Sequence, residues 1–417
     1  MDSVRTQPEL VANPARRFAS MRQGEPAPSV RAGMKQSSAG SPVSLSPRDF
    51  HRRIPGYIST PLLSIPALAE QLGLEELLVK CESDRFGLPS FKMLGASWAT
   101  YRALSAHLGS EPGPWTDIGE LAGALAAARP LTLVAATDGN HGRAVARMAR
   151  LLGLRARIFV PSGTAQARMN AIRGEGAELI EVDGDYDDAV ARSAEEAGPK
   201  CLVVSDTSWP GYTDVPGWVI EGYSTMFQEI AEALSDGGVA VPDTVVVPVG
   251  VGALASAAVK HFRSGVADGY SDAEPTIIGV EPSDAACVAA SLRAGSPVSV
   301  PGPHRSIMAG LNCGTPSVVA WPAVSAGLDA VVAIGDDWAR DAVRDLAVAG
   351  VCAGETGAAA LGGLRAIRSA YRSEELPAPL GTTALVLVTE SVTDPQEWRR
   401  ILGVEVVGPA DGRLQPA

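Results

Sequence analysis

Six short apolar runs, each ending in a polar or glycine-bearing turn, constrain the fold of this chain more than any other feature. They are LTLVAA (131–136), RARIFVP (155–161), CLVVSD (201–206), TVVVPVG (244–250), PTIIGVEP (275–282) and ALVLVTE (384–390). They are rich in β-branched residues and mostly lack the alternation of a half-exposed strand, which is the pattern of strands buried on both faces. Helix-like stretches such as HGRAVARMARLLG and TAQARMNAIRGEGA lie between them. Strand, loop, helix and strand repeated in this way predict an α/β fold with mainly parallel, twisted sheets flanked by helices. No fixed-period repeat is present, so a solenoid or propeller is not supported.

At 417 residues the chain exceeds one typical hydrophobic core, and two domains are expected. Residues 1–45 fall outside the pattern. Rich in Ser, Pro, Gly and Arg, they are expected to form a mobile arm, with a segment crossing onto a partner subunit as the alternative. A formal charge of −12 argues against a nucleic-acid partner, which calls for a basic face. No apolar run reaches the roughly eighteen residues of a membrane-spanning helix. Five dispersed cysteines read as reduced thiols, no His/Cys spacing asks for a metal, and the first residues lack the apolar core of a secretory signal. The expectation is a cytoplasmic protein without a metal.

In open α/β sheets ligands sit beyond the carboxyl ends of the strands. That rule selects Asp138 to Gly142, Asp206 to Trp209, Gly250 to Ala253 and Thr389 to Asp394. To these is added Lys92, in PSFKMLGASW. A lysine in apolar surroundings has its ammonium destabilised and forms imines readily, although taken alone Lys92 reads more simply as a solvated surface charge. In ATDGNHGRAVA, Gly139 and Gly142 permit a tight turn at the mouth of a helix. There Asp138 and Asn140 either meet a ligand or cap the helix. In VVVPVGVGALASAAV a strand runs into Gly-Val-Gly and a small-residue helix, whose first N–H groups suit a phosphate; a close-packed turn is the plainer reading.

A reactive lysine, a polar glycine-bearing loop and a glycine-rich cradle, in that order, resemble the fold-type II pyridoxal-phosphate (PLP) enzymes, the tryptophan synthase β family. Within it the chain is similar to the diaminopropionate ammonia-lyases in SFKMLGA, ATDGNHGRAVA, SDTSWPGYTDVPGWVIEGY, IMAGLNCGTPS, AGETGAAALGGL and TESVTDPQEWRRI, over residues 55 to 405. The Asp of TDGNHG and the D-T-x-W-x-G-Y segment are the most particular of these marks. The resemblance implies a small domain of residues 93–222 and a large PLP-binding domain of 46–92 with 223–417, in a homodimer. It implies Lys92 as the Schiff-base lysine, Asn140 at the ring oxygen, Gly250, Val251, Gly252 and Ala253 at the phosphate, and Thr389 at the ring nitrogen. Lys92 and Asp138 would act as bases on opposite faces of Cα, with Asp206 holding the distal amino group.

The implied reaction is α,β-elimination of 2,3-diaminopropionate, through aminoacrylate, to pyruvate and ammonia. The rivals are a PLP-dependent β-eliminase or β-replacement enzyme on serine, threonine, hydroxyaspartate or a secondary-metabolite precursor, and a non-catalytic PLP-binding or sensing protein. A Rossmann dehydrogenase lacks its G-x-G-x-x-G after the first strand. By their spacing, Trp209, Tyr212 and Trp218 read as core or interface aromatics, His141 as a satisfied loop histidine, Cys313 as a packed thiol and Glu355 as a helix N-terminal carboxylate. The chain departs from the family's T-E-G-D-T-D at Ser391 and Val392, has Asn312-Cys313-Gly314-Thr315 where Ala and Glu are usual, and has Ala96 in place of a second glycine. These departures bear on the substrate more than on the reaction class.

Overall fold

Thr244–Pro248 and Ala330–Ile334 are buried along their whole lengths. Such strands need sheet neighbours on both sides and helices on both faces, and the fold supplies them. The computed structural model describes residues 5–16, 45–264, 274–371 and 380–404. Their strands are β1 (Glu9–Ala12), β2 (Leu62–Ser64), β3 (Glu76–Cys81), β4 (Thr132–Ala136), β5 (Arg155–Pro161), β6 (Glu178–Val182), β7 (Cys201–Val203), β8 (Thr244–Pro248), β9 (Thr276–Pro282), β10 (Ala330–Ile334) and β11 (Thr383–Val388). The helices that shape the site are α1 (Lys92–Leu108), α2 (Asn140–Leu152), α3 (Tyr186–Ala194), α4 (Asp214–Gly222), α5 (Ala253–Ser264), α6 (Glu355–Ala370) and α7 (Pro395–Leu402).

The larger sheet has seven strands in the order β1-β10-β9-β8-β11-β3-β2, parallel in its five central strands and antiparallel at both edges. The smaller has four parallel strands in the order β6-β5-β4-β7. All six expected runs are strands. Three end early, at Val203, Pro248 and Val388, which leaves Asp206, Gly250 and Thr389 in the loops beyond.

The expectation of a mobile arm over residues 1–45 is corrected in part. Glu9–Ala12 pairs antiparallel with Ala330–Ala333 and closes one edge of the large sheet. Side chains fix it there: the Asn13 amide donates to the carbonyls of Leu328 (2.6 Å) and Ser325 (2.7 Å), and the Trp338 indole N–H donates to the carbonyl of Thr6 (3.0 Å). A four-residue strand amid polar sequence carries too little pattern to read. Residues 1–4 and 17–44 of the expected arm lie outside the described residues.

Two devices set the position of α1, whose first residue is Lys92. The loop before it is held by a buried ion cluster in which Glu229 accepts from Lys80 Nζ (2.9 Å) and Arg85 Nη1 (2.8 Å), and Arg85 Nε donates to Glu82 (2.8 Å). Behind it, α1 meets α4 with almost no space between backbones. A Cβ on Gly222 would lie 2.5 Å from the Leu94 carbonyl, and one on Gly95 would lie 2.5 Å from the Tyr223 ring.

Candidate active site

Segments from both sheets arrive at one cleft beyond their carboxyl ends, where ligands bind in folds of this kind. From the large sheet come the turns after β8 and β11; from the small one, the turns after β4 and β7; the start of α1 lies among them. The cleft, about 710 Å³ with its mouth, is lined by Lys92, Asp138, Asn140, Asp206, Gly250, Val251, Gly252, Ala253 and Thr389. All the residues singled out from the sequence as catalytic or cofactor-binding thus meet in one place.

Lys92 Nζ donates to Asp206 Oδ2 at 2.7 Å. Burial works against the lysine's charge, but the Asp206 carboxylate, with Tyr223 and Asp138 adding to it, more than offsets this and raises the ammonium above its ordinary value. The sequence reading had the opposite sign, because it could see the apolar neighbours of Lys92 and not the carboxylate. Burial likewise opposes ionisation of Asp206, yet Lys92, followed by His141 and Tyr186, holds it well below the usual carboxylate range. The Tyr186 hydroxyl donates to Asp206 Oδ1 at 2.9 Å, and His141 Nδ1 stands 3.9 Å from Oδ2 while its Nε2 bonds the Val204 carbonyl at 2.7 Å. Asp206 is therefore a fixed, buried anion rather than a turn cap.

Asn140 opens α2, and its amide donates to the carboxylate of Glu390, which burial pushes up in pKa against the pull of Arg168. Glu390 is itself tied to the lysine's segment. Ser90 forms a bridge with it, and Phe91 N–H donates to the Thr389 carbonyl at 3.2 Å. The Thr389 hydroxyl is buried and, among the described residues, has no partner. Opposite, Gly252 adopts φ +94°, a left-handed conformation suited to glycine, and a Cβ there would come within 3.3 Å of Val324. The turn so formed leads into α5 at Ala253, where unpaired N–H groups at a helix start favour an anion.

Cys313 lines the cleft, and burial pushes its thiol well above the ordinary range, as for a packed thiol. Trp209 stacks on Tyr212 at 4.2 Å, and the Tyr212 hydroxyl donates to the Val203 carbonyl at 2.8 Å. That pair shapes the Asp206 turn rather than the cleft. Sequence reasoning missed Tyr186 and Tyr223, and gave Glu390 no role. No motif marks Tyr186, and Tyr223 and Glu390 stand in motifs that gave them no role; their part depends on pairing across the fold.

The residues present fit a phosphorylated aldehyde cofactor. The cleft has a buried lysine to bond the aldehyde, a glycine turn at a helix start for the phosphate, and an unpartnered buried hydroxyl at Thr389. Comparison with known proteins agrees. Residues 54–389 match the family model described as pyridoxal-phosphate dependent enzyme. The diaminopropionate ammonia-lyase of Escherichia coli (strain K12) is 36% identical over 376 residues, covering 87% of this chain and 92% of that protein. That of Salmonella typhimurium (strain LT2) is 33% identical over 373 residues, covering 85% and 90%. Among solved structures, diaminopropionate ammonia lyase from Escherichia coli in complex with D-serine matches with a TM-score of 0.80 and 32% identity, over 96% of this chain and 98% of that one.

Proposed function

The chain belongs to the pyridoxal-phosphate dependent enzymes, and from that premise we propose that it is an ammonia-lyase acting on 2,3-diaminopropionate. The reaction consumes one water and yields pyruvate and two molecules of ammonia. Lys92 would bond pyridoxal phosphate, Gly250, Val251, Gly252 and Ala253 would hold its phosphate, and Asn140 would meet its ring oxygen and Thr389 its ring nitrogen. The group so held would supply a sink for the electrons released from the Cα–H bond. The chain's own residues do the rest. Lys92 and Asp138 are the two groups that take the Cα proton, one for each configuration. The pull of Asp206 keeps the Lys92 nitrogen basic, so a proton taken there is held firmly.

The observation that carries the choice of substrate is the ionised, buried Asp206. A hydroxyl leaving group, as on serine, needs a proton from the enzyme, and a carboxylate held this far below its usual range has none to give. A β-ammonium brings its own proton and needs only an anion to orient it. Asp206, fixed by Tyr186 beside the nitrogen of Lys92, is such an anion.

The same reading includes a homodimer in the cytoplasm, and two domains of residues 93–222 and 46–92 with 223–417. The membership of the two sheets supports that division: β4 to β7 fall in the first segment, and β2, β3 and β8 to β11 in the second. The test is steady-state kinetics on purified, PLP-loaded protein with L- and D-2,3-diaminopropionate and L- and D-serine. A kcat/KM for diaminopropionate at least tenfold above that for serine is expected. A preference for serine would contradict the role of Asp206.

A further inference from the structure

Outside the inner cleft lies a second, open recess of about 750 Å³, which shares Asp138, Tyr186, Ala309 and Asn312 with it. Anything reaching Lys92 from this side passes through. Its wall carries six carboxylates against two arginines, Arg168 and Arg305, and His304. Several of those carboxylates are already engaged. Asp185 and Asp188 form the capping box of α3, Asp394 caps α7, and Glu397 pairs with Arg400. Glu355 is different. It is only 1% exposed, at the start of α6, and its carboxylate is bonded by no other described residue and leans only on its own backbone N–H.

A helix start alone is a common place for a glutamate, but a glutamate serving only the helix is solvated or hydrogen-bonded. A buried carboxylate with no other residue to bond it is costly unless a cation or a proton comes to it. Burial dominates and pushes its pKa up to about 7; its own backbone N–H and Arg168 favour its charge, while Glu390 and Asp394 disfavour it. Near neutral pH it is thus balanced between a neutral acid and an anion, and an approaching ammonium group would tip it to the anion.

We propose that Glu355 is the anion of an outer subsite for a primary ammonium group, which takes up the distal amine of the substrate on its way to Lys92 and so adds to the preference for a diamino acid. This rests on the reading of the enzyme as acting on 2,3-diaminopropionate. Charge-assisted hydrogen bonds of this kind are worth about tenfold or more in binding. Glu355→Gln keeps the side-chain volume and removes the charge. With the PLP-loaded enzyme it should raise KM for diaminopropionate about tenfold and leave kcat within about twofold, while KM for serine, which has a hydroxyl there, moves less than about twofold.

A binding measurement separates this proposal from the reading beneath it. Ethylammonium, titrated by calorimetry, should bind the wild-type protein and bind Glu355→Gln about tenfold more weakly, whether or not diaminopropionate is turned over. If wild type releases no pyruvate from diaminopropionate yet binds ethylammonium through Glu355, the substrate assignment fails and the subsite stands. The proposal is overturned if the variant shifts KM for both substrates alike, lowers kcat alone or changes neither. Ethylammonium that does not bind wild type overturns it too, a result that stands even if the variant fails to fold.

Discussion

Lys92 and Asp206 hold each other in the charged state, so cofactor uptake at Lys92 should depend on Asp206. Asp206→Asn removes the larger pull on the lysine, so more of it is unprotonated at neutral pH. Cofactor-free variant should form its Schiff-base absorbance faster than wild type at pH 7, with a weaker rise toward alkaline pH. An unchanged rate would show that Asp206 does not set the lysine's basicity. Asp138→Asn is expected to cost about a hundredfold or more with one enantiomer of diaminopropionate and far less with the other, as read by pyruvate release. Equal losses, or none, would remove Asp138 as a face-specific base. The site's members were legible because each stands in a short motif: Lys92 in SFKMLGA, Asp138 and Asn140 in TDGNHG, and the cradle in GVGA. Their electrostatics were not. The partner of Lys92 lies 114 positions away along the chain at 2.7 Å in space, and Tyr186 reaches Asp206 from the start of α3.

The segment from β3 to α1 owes its place to the Glu229 cluster, whose side chains are fully buried. Burial alone would raise the Glu229 pKa, but Arg85 and Lys80 lower it to about 2 from 4.5. A carboxylate lowered on folding stabilises the fold above its unfolded value, and the contribution is lost as pH falls through the folded one. Urea unfolding of wild type should therefore weaken between about pH 4.5 and 2, and Glu229→Gln should lack part of that slope. A variant with the wild-type slope would mean that other carboxylates carry it. Glu229→Ala, which strands Lys80 and Arg85, should cost about 3–5 kcal/mol. At the α1–α4 crossing, Gly222→Ala puts a methyl against the Leu94 carbonyl and should cost about 1–3 kcal/mol in the same assay. Six strands were readable from their apolar runs, whereas β3 and β10, also buried, were not singled out. β6, ELIEV, was not readable, since its charged positions face outward on a sheet edge, and β1 and β2 are only four and three residues long.

Across the whole molecule, the chemistry depends on two sheets that share no strand but point their carboxyl ends into one cleft. The alternation of strands and helices predicted an α/β fold with mainly parallel sheets, and the resemblance supplied the division into two domains. Neither could predict that β1 would come from the N-terminal segment to cover the edge at β10, because edge pairing needs only a few residues and no strong pattern. Removing residues 1–13 should leave that edge open, with increased self-association by light scattering while the PLP absorbance is retained. Unchanged light scattering would mean that β1 protects nothing. The whole account turns on elimination from a diamino acid, and the most direct test counts both products at once. Purified, PLP-loaded protein given 2,3-diaminopropionate should release two molecules of ammonia for each pyruvate, and none of either when Lys92 is replaced by Ala. One ammonia without pyruvate, the nitrogen exchanged for an added nucleophile, would contradict elimination and make the chain a β-replacement enzyme.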